Sequence, residues 1–198
     1  MRYIDKQAAL TPNAAMRTLI FLRHAKSSWA TPGMNDFDRP LNDRGRADAP
    51  LMARWLSGQG MKPDRILCSP SARTRETLAL ITPVLGPLPV ASFPEDFYLA
   101  SAATLSKRIA RERASETVLV IGHNPGIHDA VLQFLSPDQR HASGDLRAAF
   151  PTAACAILAL PIEAWTELKW DIGRLASYMV PKALYNADLI SHQDPTQP

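Results

Sequence analysis

Cysteine is scarce in this sequence, long apolar runs are missing and the net charge is small. The two cysteines, Cys68 and Cys155, both sit in apolar, strand-like runs. They read as small reduced core residues rather than as a disulfide framework, which is the usage of a cytoplasmic protein. No run approaches the ~20 apolar residues that cross a bilayer, so no membrane association is expected. Residues 1–16, MRYIDKQAALTPNAAM, carry charges, Gln and Pro without an apolar core and are not read as a secretory signal. A net charge of +3 does not point to nucleic acid, whose binders concentrate basic residues on one face. No internal repeat, no interdomain linker and no cluster of metal-ligand spacing is visible.

What is present suits one domain. A chain of 198 residues, 46% hydrophobic and 21% charged, has the length and composition of a soluble protein with a full-sized core. The expected domain spans residues 17–186. A loose extension over 1–16 precedes it, with Met16 an alternative start, and a flexible tail over 187–198 follows.

Short, continuously apolar runs read as strands buried on both faces of a sheet. Leu19-Ile20-Phe21-Leu22, Asp64–Cys68 and Thr117–Ile121 are such runs. Between them fall helical patterns: Asn42 or Asp43 to about Ser57, with Ala47, Leu51, Met52 and Trp55 inward; Ala72 to about Leu80; and Ala102 to about Arg113, capped by Ser101. Pro83, Pro87 and Pro89 are expected to break the chain, and Val90–Phe93 to form an edge strand. A helix running to Leu135, a mobile loop over Arg140–Arg147, strands at Ala153–Leu160 and Glu167–Ile172, and a short helix near Pro181–Leu184 complete the expectation. Strands alternating with helices imply an α/β fold with a mostly parallel sheet covered on both faces.

The three buried strands all end in polar chemistry: Arg23-His24, Ser69-Pro70-Ser71-Ala72-Arg73, and Gly122-His123-Asn124. Parallel strands open such ends on one side of the sheet, where α/β folds bind ligands. Taken singly, His24 and His123 are each more readily structural than catalytic. Together, two arginines beside a helix N-terminus make a cage for a dianionic phosphoryl group. A neutral imidazole, with an ordinary pKa near ~6.5, supplies a nucleophile.

Leu22-Arg23-His24-Ala25-Lys26 resembles the Arg-His signature of the histidine phosphatase superfamily, also called phosphoglycerate mutase-like. Ser69–Arg73 with Thr77 is similar to its second motif and Gly122-His123-Asn124 to its third. Asp38-Arg39-Pro40-Leu41-Asn42 with Arg44-Gly45, Lys26, and Gly173-Arg174-Leu175 with Pro181 resemble the SixA branch, the phosphohistidine phosphatases. The resemblance covers about residues 17–185. It implies a three-layer α/β/α sandwich, His24 as the residue phosphorylated, Arg23 and Arg73 as phosphate ligands, and His123 as stabiliser of the transferring group. It implies no metal or cofactor, and a phosphohistidine protein or a small phosphorylated molecule as substrate.

Many relatives carry a carboxylic acid on an insertion over the pocket to protonate a departing alkoxide. The short interval between Arg73 and His123 leaves no room for a sizeable cap, so an open site is expected. Glu95 and Asp96 are the acidic pair in that interval and are as readily a solvated turn as a general acid. A cysteine phosphatase is rejected, because Cys68 and Arg73 stand one residue too close for a loop that wraps a phosphate. A metabolite phosphomonoesterase or mutase would use Lys26, Arg39 and Arg44 for a second anionic group. A non-catalytic phospho-ligand module would be expected to have lost one of the four site residues.

Overall fold

The computed structural model describes residues 16–30 and 32–191. All but Met16 of the expected extension lies outside these residues, as do residues 192–198 of the expected tail. Residues 187–191 instead continue the last helix.

The described strands are β1 (Arg17–Arg23), β2 (Arg65–Cys68), β3 (Thr117–Gly122), β4 (Cys155–Leu160) and β5 (Arg174–Met179), in the order β2-β3-β1-β4-β5. The pairs β2–β3 and β3–β1 are parallel, and β1–β4 and β4–β5 are antiparallel. Four strands therefore share one direction, with β4 reversed in a mixed sheet. The helices are α1 (Asp43–Gly58), α2 (Ala72–Leu85), α3 (Ala102–Ile109), α4 (Gly126–Phe134), α5 (Pro137–Ala142), α6 (Gly144–Ala148) and α7 (Pro181–Ser191).

Alternation along the strands sorts the core into two layers. Leu19 and Phe21 of β1, with Val118 and Val120 of β3, pack under α3 and α4 through Leu105, Ile109, Ile127 and Phe134. Ile20 and Leu22, with Leu119 and Ile121, pack under α1 and α2 through Met52, Leu56 and Ile81. Because both faces are covered, these strands are apolar at every position, and the result is the three-layer α/β/α arrangement expected.

Several expected elements are corrected. On α1, Leu51 and Met52 are buried and Trp55 is half-buried against the core as expected, but Ala47 is exposed, and the inward face also carries Gly45, Asp48, Ala49, Ala53 and Leu56. This phase follows from the docking of Gly45 on the backbone of Lys26, where a Cβ would stand 2.2 Å from the Lys26 carbonyl oxygen. Helix α2 passes through Pro83 and ends at Gly86, whose φ of 83° suits glycine. Of Val90–Phe93, only Ser92 pairs, through single backbone bonds with Ile66 and Cys68 of β2. Helix α3 stops at Ile109, short of Arg113. Arg140–Arg147 is not a loop but lies in α5 and α6.

Glu167–Ile172 is not a strand; the edge strand is β5, beyond it. Its alternating Leu168, Trp170 and Ile172 mimic a strand but serve to close the core as irregular chain, with Trp170 lying 4.4 Å from the Phe134 ring. Next to it Trp165 is fully buried and donates its indole N–H to the Ser115 carbonyl at 2.7 Å.

The contact at Gly45 yields a test. Gly45→Ala should cost about 2–3 kcal/mol by chemical denaturation, since backbone rather than a movable side chain opposes the new methyl group. Gly58→Ala, where nothing lies within 4 Å, should be neutral or stabilising by up to about 1 kcal/mol.

Candidate active site

The parallel register sets the strand ends side by side. Arg23 pairs with Gly122, the His24 N–H donates to the Gly122 carbonyl at 3.0 Å, and the Ser69 N–H donates to the Ile121 carbonyl at 2.9 Å. Arg23, His24, Arg73 and His123 are thereby brought into one cleft of about 420 Å³, as the motif spacing implies. The reversed direction of β4 delivers a further segment to the same place. Thr152 lines the cleft, and the Phe150 carbonyl accepts from Arg23 Nη1 at 2.8 Å and from Asn124 Nδ2 at 2.9 Å.

Hydrogen bonds assign the state of each imidazole. His24 Nδ1 lies 2.7 Å from the Ala25 carbonyl oxygen, which only accepts, so the proton is on Nδ1 and the lone pair is on Nε2. The Ala25 N–H donates in turn to Thr77 Oγ1 at 3.0 Å, tying this turn to α2. His123 Nδ1 faces Arg73 Nη2 at 3.3 Å, and a guanidinium only donates. The His123 proton is therefore on Nε2 and is given to Ser69 Oγ at 2.7 Å.

Both rings are buried, 5.1 Å apart, and both are neutral. Burial, reinforced by Arg73, Arg23 and Arg39, pushes His24 down to about 4. Burial and the neighbouring His24 and Arg73 push His123 down to about 3.

Four cationic side chains, Arg23, Lys26, Arg39 and Arg73, line the cleft against a single carboxylate, Asp36. Asp36 accepts from Tyr98 Oη at 2.7 Å, from Arg39 Nη1 at 2.6 Å and from Arg73 Nη2 at 3.0 Å, and its carbonyl accepts from Arg73 Nη1. The Tyr98 hydrogen bond and the two arginines hold its carboxyl well below the usual carboxylate range. Arg39 is itself buried; it donates to Ser27 and Ser28 and lies over the exposed Trp29 ring. Tyr98 stands edge-on to both Phe37 and His123.

The remaining candidates fall elsewhere. Glu95 and Asp96 occupy an exposed 3-10 turn, outside the cleft lining, where Asp96 faces Arg108. Arg44 also lies outside the lining and faces the buried Asp48. The Cys68 thiol is buried and pushed up to about 12 by desolvation, so it is no nucleophile. Sequence reasoning missed Asp36, Tyr98, Trp29 and Thr152. Asp36 and Trp29 come from an irregular loop whose turn residues carry no period from which their direction can be read. The chain between Arg73 and His123 forms the rest of α2, the Ser92 bridge, the Glu95–Phe97 turn, α3 and β3, with Leu99 as its exposed contribution to the rim. Among the described residues, no group of three or more His, Cys, Asp or Glu is placed to hold a metal ion.

The sequence model of the histidine phosphatase superfamily (branch 1) matches residues 19–95. An uncharacterized chloroplastic protein of Arabidopsis thaliana is 35% identical over 140 residues, 66% of this chain; the chain spans 64% of that relative's length. Phosphohistidine phosphatase SixA of Escherichia coli K12 is 33% identical over 113 residues, 54% of this chain and 67% of its own. A solved structure from Agrobacterium tumefaciens, assigned as a phosphohistidine phosphatase SixA, superimposes with a TM-score of 0.72 at 30% identity. It covers 83% of this chain and 98% of its own. The fold is thus the phosphoglycerate mutase-like α/β fold of these proteins.

The neutral imidazoles make a titration test. Ring resonances of His24 in the ligand-free protein should titrate with a midpoint near pH 4, leaving Nε2 unprotonated throughout the neutral range. The folded pKa lies below the unfolded value of ~6.5, so the unfolded chain binds the proton more tightly. The contribution is full above that value and is lost as pH falls from about 6.5 through about 4, costing about 3 kcal/mol for His24. His24→Asn should remove that part of the acid instability in urea titrations.

Proposed function

The chain belongs to the histidine phosphatase superfamily, and from that premise we propose that it moves a phosphoryl group from phosphohistidine in a protein to His24 and then to water. Arg23, Arg73 and the N-terminus of α2 hold the phosphoryl oxygens. Nε2 of His24 attacks phosphorus in line with the departing nitrogen, while Nδ1 keeps its proton and donates it as a hydrogen bond to the Ala25 carbonyl. His123 stabilises the transferring group through Arg73: its Nδ1 accepts from Arg73 Nη2 at 3.3 Å and so fixes that guanidinium toward the phosphoryl oxygens. Water then attacks phosphorus, and His24 departs with its Nδ1 proton already in place. No metal takes part; the guanidinium groups supply the positive charge that such transfers require.

The observation that carries the choice of substrate is the state of the cleft's acid. Among the described residues Asp36 is the one carboxyl group in the lining, and Tyr98, Arg39 and Arg73 keep it ionised. An alkoxide has a pKa far above neutrality and needs a proton as it leaves. This site has none ready to give. An imidazole leaves with the proton that its other ring nitrogen already carries. The exposed rim of Lys26, Trp29 and Leu99 admits a residue standing on a protein surface. A small metabolite with a second anionic group finds less support, since Arg39 is already engaged by Asp36 and Arg44 lies outside the cleft.

A quench after brief exposure to labelled phosphohistidine protein should trap acid-labile, base-stable phosphate on the chain, and none on His24→Ala. The wild-type kcat/KM for phosphohistidine should exceed that for alkyl phosphates by about a hundredfold, the margin expected where a general acid is missing. EDTA should leave turnover unchanged. Equal turnover of sugar phosphates would overturn the substrate, label retained by His24→Ala the nucleophile, and inhibition by EDTA the metal independence.

A further inference from the structure

We infer that Asp36 is the group that recognises the leaving imidazole, and so sets the preference of this site for nitrogen-bound over oxygen-bound phosphate. The inference rests on the phosphohistidine reading above and adds a residue that the motifs do not contain.

A carboxylate has about four acceptor positions. Three of those on Asp36 are taken, by Arg39 Nη1 on Oδ1 and by Tyr98 Oη and Arg73 Nη2 on Oδ2. The side chain is nevertheless 41% exposed, on the wall of the cleft that holds His24 and Arg73. One acceptor position is therefore open beside the place where phosphate binds. Arg39 is itself fixed by the Ser28 carbonyl and Ser27 Oγ, so the carboxylate stays in position when a phosphoryl group competes for Arg73.

The chemistry of transfer between two imidazoles shows what such an acceptor does. The bond formed joins His24 Nε2 to phosphorus, and the bond broken joins phosphorus to the substrate nitrogen, which keeps the electron pair. If the substrate's other ring nitrogen carries a proton, the product is neutral imidazole. If it does not, the product is imidazolate, a far poorer leaving group. On the enzyme side the Ala25 carbonyl keeps that second proton on His24. On the substrate side Asp36 does the same, accepting a hydrogen bond from the far N–H and stabilising the protonated ring. An oxygen-bound phosphate presents no N–H there, and the negative charge developing on its leaving oxygen is repelled by the carboxylate.

The test compares Asp36→Asn with wild type on a phosphohistidine peptide and on p-nitrophenyl phosphate, whose phenolate leaves without a proton. A hydrogen bond to a charged group is worth about ten- to a hundredfold in rate. The ratio of kcat/KM on the two substrates should fall by at least about tenfold in the variant. The alkaline limb of kcat on the phosphohistidine peptide, which reports groups in the bound complex, should also move to lower pH, because the amide no longer holds the ring proton. A purely structural role, in which Asp36 only orients Arg73, would depress both substrates alike and leave that limb in place; this result overturns the inference. A wild-type enzyme with no preference for phosphohistidine overturns the functional reading itself. A wild-type preference that survives intact in Asp36→Asn overturns the role of Asp36 alone.

Discussion

Two guanidinium groups held together at the end of a buried sheet repel one another, and much of the site is arranged around that repulsion. Arg23 and Arg73 share one cleft, and burial together with Arg73 lowers the pKa of Arg23. A protein bears such a pair only with counter-charge at hand or with neighbours that add no further positive charge. Here both devices are present. Asp36 lies against Arg73, and the two buried histidines are held neutral by desolvation and by the same arginines. A dianion entering the cleft would relieve that repulsion directly, which is the physical sense in which the arrangement suits the proposed phosphoryl substrate.

The same field prepares the nucleophile. In water an imidazole is partly protonated near neutrality, and its protonated form cannot attack. Buried, and beside Arg73, Arg23 and Arg39, His24 stays neutral, and the Ala25 carbonyl fixes its proton on Nδ1, away from Nε2. In the proposed reaction, positive charge thus binds the phosphoryl group and leaves free the lone pair that attacks it. The electrostatics that make one group a good ligand make the other a good nucleophile, with no proton moved between them.

Backbone placement carries this precision. His24 and His123 follow parallel strands whose register sets Arg23 beside Gly122, and bonds from His24 to Gly122 and from Ser69 to Ile121 extend the ladder into the site. Gly45 lets α1 press against Lys26, and the Asn42 N–H donates to the Lys26 carbonyl at 2.9 Å. Thr77 joins the same turn to α2 by accepting from the Ala25 N–H at 3.0 Å, while its own hydroxyl donates to the Arg73 carbonyl at 2.6 Å. Rigid elements hold the reacting groups, while the loop bearing Asp36 and Trp29 forms the wall that meets what approaches.

The buried strands, the helix caps at Asn42 and Ser101, and the convergence of Arg23, His24, Arg73 and His123 were legible in the linear chain. The reason is local: an unbroken apolar run has one good use, and a parallel sheet opens strand ends on one side. Where a local pattern has two uses, it misled. Leu168, Trp170 and Ile172 alternate like a strand but close the core as irregular chain, and Pro83 looks like a helix stop but lies inside α2. Still further from the sequence were the reversal of β4, which brings Phe150 and Thr152 to the cleft, and the meeting of Asp36 with Tyr98, 62 positions away. Such contacts have no signature in spacing, because they arise where separate elements dock and charge seeks charge. The composition of the strand ends by itself pointed to phosphoryl chemistry, whereas the tertiary fold alone decided which carboxylate lines the cleft and which proton each histidine keeps.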